Sequence, residues 1–190
     1  SVTIDGVDIR ELTLESLRDE IGYVPQKGLL FQGTVESNIR FGKSDATDAE
    51  VIRAAQTAQA DDFIEEKEEK YESYIAQGGS NVSGGQKQRL SIARALIGNP
   101  KILIFDDSFS ALDMKTDAEL RRALAEQAAD ATRIVVAQRV GTILHAEQII
   151  VLDDGRIVGK GTHEELMAGC SIYREIAESQ LSVKELEAAT

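Results

Sequence analysis

The stretches Ser83-Gly84-Gly85-Gln86-Lys87-Gln88-Arg89 and Ile102-Leu103-Ile104-Phe105-Asp106-Asp107 decide the fold class of this chain. The first predicts a helix that two glycines open and that runs to Ile97, because Gly98-Asn99-Pro100 supplies a C-terminal stop. The second predicts a short apolar strand with carboxylates at its carboxyl end. A buried strand that follows a helix in this way is typical of a parallel sheet in an α/β protein.

The rest of the chain repeats this alternation of strands and helices. Asp5-Gly6 and Asp154-Gly155 predict two hairpin turns. Thr47 with Glu50 and Thr162 with Glu165 each fit a capping box at a helix start. The strand runs 101–105 and 133–137 are expected to be buried on both faces of the sheet. The predicted elements are hairpins at 2–9 and 148–158, strands at 21–24, 101–105 and 133–137, and helices at 14–18, 48–60, 61–67, 114–129 and 163–168.

Composition excludes several classes of function. The 190 residues carry a formal net charge of −12, which argues against nucleic acid as the principal partner. The single cysteine, Cys170, has no partner for an internal disulfide, as is usual in a reducing compartment. No stretch approaches the roughly 18 consecutive apolar residues that a membrane-spanning helix needs. We therefore expect a soluble piece, whatever it docks onto.

The glycines after Ser83 suit an anion site. Gly84 and Gly85 let backbone N–H groups approach a phosphate, and the helix that they open adds the positive end of its dipole. Ser83 and Gln86 also fit the capping box of an ordinary helix start, and without its context the segment is better explained in that way. Its neighbours decide between these two interpretations.

Together with Ser110-Ala111-Leu112-Asp113, these stretches resemble the signature, the Walker B strand and the D-loop of the ABC transporter ATPase family. The order and spacing match, and the resemblance covers almost all of the chain. It implies a P-loop NTPase-type fold with a mainly α-helical insertion, and it implies ATP and Mg²⁺ as ligands. The residues that it assigns to ATP binding are Ser83, Gly84, Gly85, Gln86 and Asp113.

The carboxylates after the second strand are candidates for the metal and catalytic site. Asp106 lies where α/β proteins bind ligands and is expected to hold Mg²⁺ through water, although acidic residues also end strands simply because loops are wet. Asp107 stands where the family carries a glutamate that polarises the attacking water. The shorter side chain withdraws the carboxylate by roughly 1 Å, and misplacement of this size can cost on the order of 100-fold in rate.

A second departure from the family pattern lies at Gln138. The stretch 137–143 resembles the family's switch loop, where a histidine is usual, and glutamine neither titrates nor carries charge near neutral pH. Both departures affect residues that serve hydrolysis, whereas the signature is intact. This pattern suggests selective loss of hydrolysis at one site.

Val24-Pro25-Gln26 and the residues up to Gly42 resemble the Q-loop region of exporter-type members. In the family, this glutamine joins the metal site to a groove that receives a transmembrane domain, so Gln26 is expected to contact the metal and to couple ATP to transport. The alternative is a polar loop residue after Pro25. Ala76-Gln77-Gly78-Gly79 stands where exporters carry Gly-Glu-Arg-Gly, which puts that membrane-domain contact in doubt.

Gly42-Lys43-Ser44 is not expected to be the phosphate-binding loop. The motif requires glycine at position 37, which is Ser37, and Gly42 is better explained as a glycine at a helix C-terminus. Because the first six residues resemble the segment after the family's Walker A loop, we expect that loop and the first strands to precede residue 1. His145 and His163 have no partner at metal spacing and are expected to be structural.

The leading hypothesis is the ATP-binding domain of an exporter, from the catalytically degenerate half of a heterodimer. Its partners would be a second ATP-binding domain and transmembrane domains, at the cytoplasmic face of the membrane. The predicted division is an α/β core at 1–26 and 94–180, a helical subdomain at 27–93 and a tail at 181–190. The alternatives are a soluble ABC-type ATPase or regulator and a nucleotide-independent interaction module.

Overall fold

The predicted alternation of strands and helices is present in the computed structural model, which describes residues 1–181. The chain forms two compact units, the first spanning Ser1–Val136 and the second beginning at Ala137. The elements of the first unit are β1 (Thr3–Ile4), β2 (Val7–Asp8), α1 (Leu14–Asp19), β3 (Ile21–Val24), β4 (Gly33–Thr34), α2 (Val35–Arg40), α3 (Asp48–Thr57), α4 (Asp61–Glu65), β5 (Tyr74–Ile75), α5 (Gly84–Leu96), β6 (Ile102–Asp106), α6 (Met114–Gln127) and β7 (Thr132–Val136).

A parallel three-stranded sheet positions the candidate carboxylates. The strand order is β3-β6-β7, with Val24 opposite Phe105 and Asp106 opposite Val136. The carboxyl ends of all three strands therefore meet at one edge, which is where ligands bind in open α/β sheets. This arrangement confirms the predicted fold class.

The prediction that residues 133–137 are buried on both faces is wrong. The strand β7 begins one residue earlier, and Ile134 and Val136 are 50% and 53% exposed. Among the described residues, β7 pairs with β6 on one side only. In β6, Leu103 and Phe105 are fully buried, whereas Ile102 and Ile104 on the other face are only partly buried, so the prediction for this strand is confirmed for one face. Apolar side chains predict a strand but do not show what covers its faces.

The long helix α5 packs unusually close to its neighbours at two glycines. A Cβ at Gly22 of β3 would lie 2.6 Å from the Ala95 carbonyl oxygen. A Cβ at Gly42, just after α2, would collide with the Arg94 carbonyl oxygen and lie 2.9 Å from Ile97. Gly42 does follow a helix, as predicted, but a glycine is needed there because a side chain would collide with α5. The close contacts at Gly22 and Gly42 fix α5 against β3 and α2.

The second unit contains α7 (Val140–Ile143), β8 (Ile149–Asp153), β9 (Arg156–Gly161), α8 (His163–Gly169) and α9 (Ser171–Gln180). The predicted hairpin is confirmed: Asp154 and Gly155 both have positive φ, as a two-residue turn of type I′ requires. The helix α9 was not predicted. It packs Tyr173 and Ala177 into a small core with Val151 and Leu166.

The predicted domain division stays a prediction. The helix α5 runs without interruption through residues 93 and 94, where that division placed a boundary. Of the predicted tail, residues 182–190 lie outside the described part of the chain. Within residues 1–181, no helix combines the length and the apolar character needed to cross a bilayer.

Candidate functional site

The carboxyl edge of the sheet brings together Gln26, Asp106 and Asp107. Asp106 is the last residue of β6, and its Oδ2 accepts a hydrogen bond from the Tyr23 hydroxyl at 3.1 Å. The Gln26 Nε2 donates to Asp107 Oδ2 at 3.1 Å. Gln26 and Asp107, which are 81 residues apart in sequence, are therefore in direct contact, and Asp106 precedes Asp107 at the same edge.

Tyr23 was not singled out from the sequence. The register pairs it with Ile104, two residues before Asp106, so the two side chains share a face of the sheet. The bond to Asp106 raises the pKa of the Tyr23 hydroxyl, because an ionised carboxylate next to it disfavours the phenolate. Only a known strand register would have revealed this contact from the sequence.

Asp107 has a tightly fixed backbone. Its φ is +46°, a left-handed conformation that aspartate adopts more readily than most residues. Its amide donates to the Val136 carbonyl at 2.9 Å, and its own carbonyl accepts from the Ser110 hydroxyl at 2.8 Å. These bonds, together with burial to 7% exposure, hold the carboxylate towards Gln26.

The residues at this edge fit a magnesium ion bound together with phosphate groups. Mg²⁺ prefers oxygen ligands and is usually held by one or two carboxylates and substrate phosphates. Asp106 and Asp107 supply carboxylates, and because Nε2 of Gln26 is already engaged, its Oε1 is the amide atom left for a ligand. Within residues 1–181, no group of three or more His, Cys, Asp or Glu side chains could hold a metal alone.

Ser83 forms the predicted capping box. Its Oγ accepts from the Gln86 amide at 3.2 Å, and Gln86 Oε1 accepts from the Ser83 amide at 3.0 Å. A Cβ at Gly84 would meet nothing within 4 Å, and at Gly85 the nearest atom would be the Ala111 carbonyl oxygen at 3.4 Å. The first amides of a helix lack intrahelical partners, so this open N-terminus offers N–H groups that could bind an anion.

Asp113 caps the helix α6. Its Oδ1 accepts from the amides of Lys115 and Thr116, and its Oδ2 accepts from the Thr116 hydroxyl at 2.7 Å. These bonds, above all those from Thr116, lower the pKa of the Asp113 carboxyl. The structure thus gives Asp113 a local role, and its contact with ATP stays a prediction.

Gln138 belongs to the second unit. Its carbonyl accepts from Gln180 Nε2 at 2.9 Å, and Gln180 Oε1 accepts from the Val140 amide at 2.8 Å. Gln180 on α9 therefore fixes the loop that precedes α7. Gln180 could not be singled out from the sequence, since the helix α9 that carries it was itself not predicted.

His163 and Lys43 have other roles than ligand binding in this structure. His163 is 5% exposed, and its Nδ1 lies 2.8 Å from the Tyr173 hydroxyl. Lys43 pairs with Glu50 at 2.7 Å and follows α2, whereas a phosphate-binding loop connects a strand to a helix. The bond from Lys43 is the main cause that lowers the pKa of Glu50 to about 2.

An exposed aromatic pair lies on the segment after Gln26. The rings of Phe31 and Phe41 are 4.5 Å apart and are 40% and 68% exposed, and Leu29 nearby is 57% exposed. The Arg94 guanidinium of α5 stacks on both rings and donates to the Leu29 carbonyl at 2.7 Å. Burial lowers the pKa of Arg94 to about 10. We call Leu29, Phe31 and Phe41 the aromatic patch.

Comparison with known proteins places this geometry in context. A family model described as ABC transporter matches residues 1–110. An uncharacterized ABC transporter ATP-binding protein of Mycobacterium tuberculosis is 48% identical over 183 residues, or 95% of this chain. The beta-(1-->2)glucan export ATP-binding/permease protein NdvA of Rhodopseudomonas palustris is 46% identical over 184 residues, or 97% of this chain.

The fold has a similar counterpart among solved structures. The structure of a bacterial Atm1-family ABC exporter with ATP bound matches with a TM-score of 0.89 and 40% sequence identity, over 93% of this chain. The chain spans 31% of the length of that exporter and 31% of each of the two relatives above.

Proposed function

Because this chain belongs to the ABC transporter family, we propose that it is the ATP-binding domain of an exporter and couples ATP binding and hydrolysis to transport. The observation that carries the proposal is the contact of Gln26 with Asp107, beside Asp106, at the carboxyl edge of the parallel sheet. The likeness to the glucan export protein and to the Atm1-family exporter supports export as the direction of transport.

The carboxyl edge would hold Mg²⁺ and ATP. When bound, Mg²⁺ would neutralise charge on the phosphate oxygens while the γ-phosphoryl group is transferred from ADP to water. Asp106 would hold the ion, and Gln26 would offer its Oε1 to it. Asp107 occupies the position of the base, where its bond from Gln26 keeps the carboxylate oriented.

The signature would act on ATP held by a second ATP-binding domain. Ser83 uses its Oγ as an acceptor for the Gln86 amide, so its own O–H remains able to donate to a phosphate oxygen. The open helix start at Gly84 and Gly85 would add backbone amides. The cap and the phosphate contact are therefore compatible in one side chain.

We propose that the two sites of such a pair are unequal. The signature of this chain is intact and would complete a competent site with the partner. Hydrolysis with Asp107 at the position of the base would be slow, since Asp107 is shorter than the usual glutamate. Gln138, at the switch position of the family pattern, carries no charge near neutral pH.

Transmembrane domains would contact this chain at the aromatic patch, and the chain would then lie at the cytoplasmic face of the membrane. Leu29 and Phe31 of the patch lie within five residues of Gln26 in sequence, and the large apolar side chains of the patch are exposed. Arg94 holds the patch against α5, the same helix that carries the signature at its start. A displacement of the patch would therefore move both the loop that carries Gln26 and the helix α5.

A comparison of two caps tests the proposal. Ser83→Ala and Thr47→Ala each remove a capping box, so each should lower the stability by about 1 kcal/mol. In the whole transporter in lipid vesicles, only Ser83→Ala should reduce Mg-dependent ATP hydrolysis, by at least roughly tenfold. Equal hydrolysis by the two variants would contradict the proposed role of the signature.

A further inference from the structure

Gln88 is a buried polar side chain to which the proposed function assigns no role. It lies on α5, one turn beyond the glycines that open this helix, and is 1% exposed. A buried amide must form hydrogen bonds, since an unpaired one would lose its bonds to water. The partners of Gln88 therefore indicate what this position is for.

Both partners belong to the backbone of the loop that carries Gln26. The Gly28 amide donates to Gln88 Oε1 at 3.0 Å, and Gln88 Nε2 donates to the Pro25 carbonyl at 3.1 Å. The two bonds flank Gln26 on either side. A single side chain of α5 thus holds this turn at two points, 60 and 63 residues away in sequence.

The loop also lies directly on the helix surface. A Cβ at Gly28 would be 2.9 Å from the Lys87 carbonyl oxygen and 2.9 Å from the Ser91 hydroxyl. Such contacts leave no room for the loop to slide towards the helix. Displacement of α5 therefore moves the backbone around Gln26 with it.

We propose that Gln88 is a positioning residue that transmits movement of the signature helix to Gln26 and, through the Gln26 bond, to Asp107. The inference rests on the proposed function, in which Ser83 contacts nucleotide in the partner's site. Gln88 then links that contact to the carboxylates that act on this chain's own nucleotide. ATP bound at one site would in this way adjust the geometry of the other.

Three variants of the whole transporter separate this role from packing. Gln88→Met keeps an unbranched side chain of similar length but leaves the Gly28 amide and the Pro25 carbonyl unpaired. Gln88→Glu keeps the acceptor and has a donor only when protonated. Ser91→Ala is the matched control, because the Ser91 hydroxyl is equally buried beside Gly28 but has no hydrogen-bond partner among the described residues.

For Gln88→Met, we expect hydrogen exchange at the amides of residues 26–29 to become faster, with Ser91→Ala unchanged. In a Ser83→Ala background, where the remaining ATP hydrolysis is that of this chain's own site, Gln88→Met should lower kcat about tenfold at an unchanged KM for ATP, since a misplaced catalytic group affects the chemical step. For Gln88→Glu in the same background, the ratio of its kcat to that of Ser83→Ala alone should rise as the pH falls. Protonation at low pH restores the donor to the Pro25 carbonyl, and burial favours that neutral form.

Two results would overturn the inference. One is unchanged exchange at residues 26–29 in Gln88→Met; the other is a kcat of this variant equal to that of Ser91→Ala when both are measured in the Ser83→Ala background. Failure of the proposed function would look different, because Ser83→Ala would then hydrolyse ATP as fast as Thr47→Ala. If Ser83→Ala is impaired and Gln88→Met is not, the proposed function stands and only the role of Gln88 is rejected.

Discussion

At the scale of single residues, Asp107 combines a backbone role with a side-chain role. Its left-handed backbone suits aspartate, and its carboxylate is engaged by Gln26. This contact is compatible with the proposal that Asp107 serves poorly as a base, because the bond from Gln26 needs only the reach that aspartate has. A short side chain can therefore preserve the architecture of the site and still slow its chemistry.

His163 predicts a pH dependence of stability. Burial lowers its pKa below the ordinary value of 6.5 in the folded state. The unfolded chain therefore takes up a proton first as the pH falls. The stabilising contribution is complete above about pH 6.5 and is lost as the pH falls from there through the lowered folded pKa.

The measurement is the urea midpoint of the chain between pH 7.5 and pH 5. We expect His163→Gln to reduce the loss of midpoint on acidification. An equally steep loss in His163→Gln would show that other groups cause the acid sensitivity.

At the scale of elements, the capping boxes were predicted correctly, because each is local. Thr47 with Glu50, Ser83 with Gln86 and Thr162 with Glu165 all form reciprocal bonds. The hairpin turns were found for the same reason, since their glycines and aspartates are adjacent in sequence.

The contacts that were missed join residues far apart in sequence. The bonds of Gln88 to the Gln26 loop depend on how α5 packs against β3, and the bond of Tyr23 to Asp106 depends on strand register. Neither packing nor register can be obtained from local patterns. The exposure of β7 was mispredicted because an apolar run does not show what covers its faces.

Gly42 tests the packing of α2 against α5. Gly42→Ala should destabilise the first unit by about 1–3 kcal/mol, because the added methyl group collides with the Arg94 carbonyl. Gly98→Ala, at the other side of the same corner, is the control, since its Cβ would approach only the Gly42 carbonyl oxygen at 3.9 Å. Urea unfolding of both variants measures this difference, and equal midpoints would contradict the assigned close contact.

At the scale of the whole molecule, the site described above is only part of what ATP hydrolysis needs. The carboxylates and the signature are present, but the 190 residues contain no Gly-x-x-x-x-Gly-Lys-Ser motif. The resemblance to the family supplied this expectation. The structure adds that the only similar stretch, at Lys43, is committed to an ion pair with Glu50.

The 190-residue chain on its own should therefore not bind Mg-ATP at micromolar strength, and it should not hydrolyse ATP. Titration calorimetry measures the binding directly. Lys43→Met, which removes the lysine of the similar stretch, should give the same absence of heat. A saturable micromolar isotherm that Lys43→Met abolishes would mean that this stretch binds phosphate after all.

The central claim is that this chain gives an intact signature to one site and a weak set of hydrolytic residues to another. The most direct measurement is ATP hydrolysis by the assembled transporter after Ser83→Ala and, separately, after Asp107→Asn. We predict that Ser83→Ala removes most of the turnover, whereas Asp107→Asn leaves it within about twofold of the wild-type rate. Comparable losses in the two variants would contradict the claim.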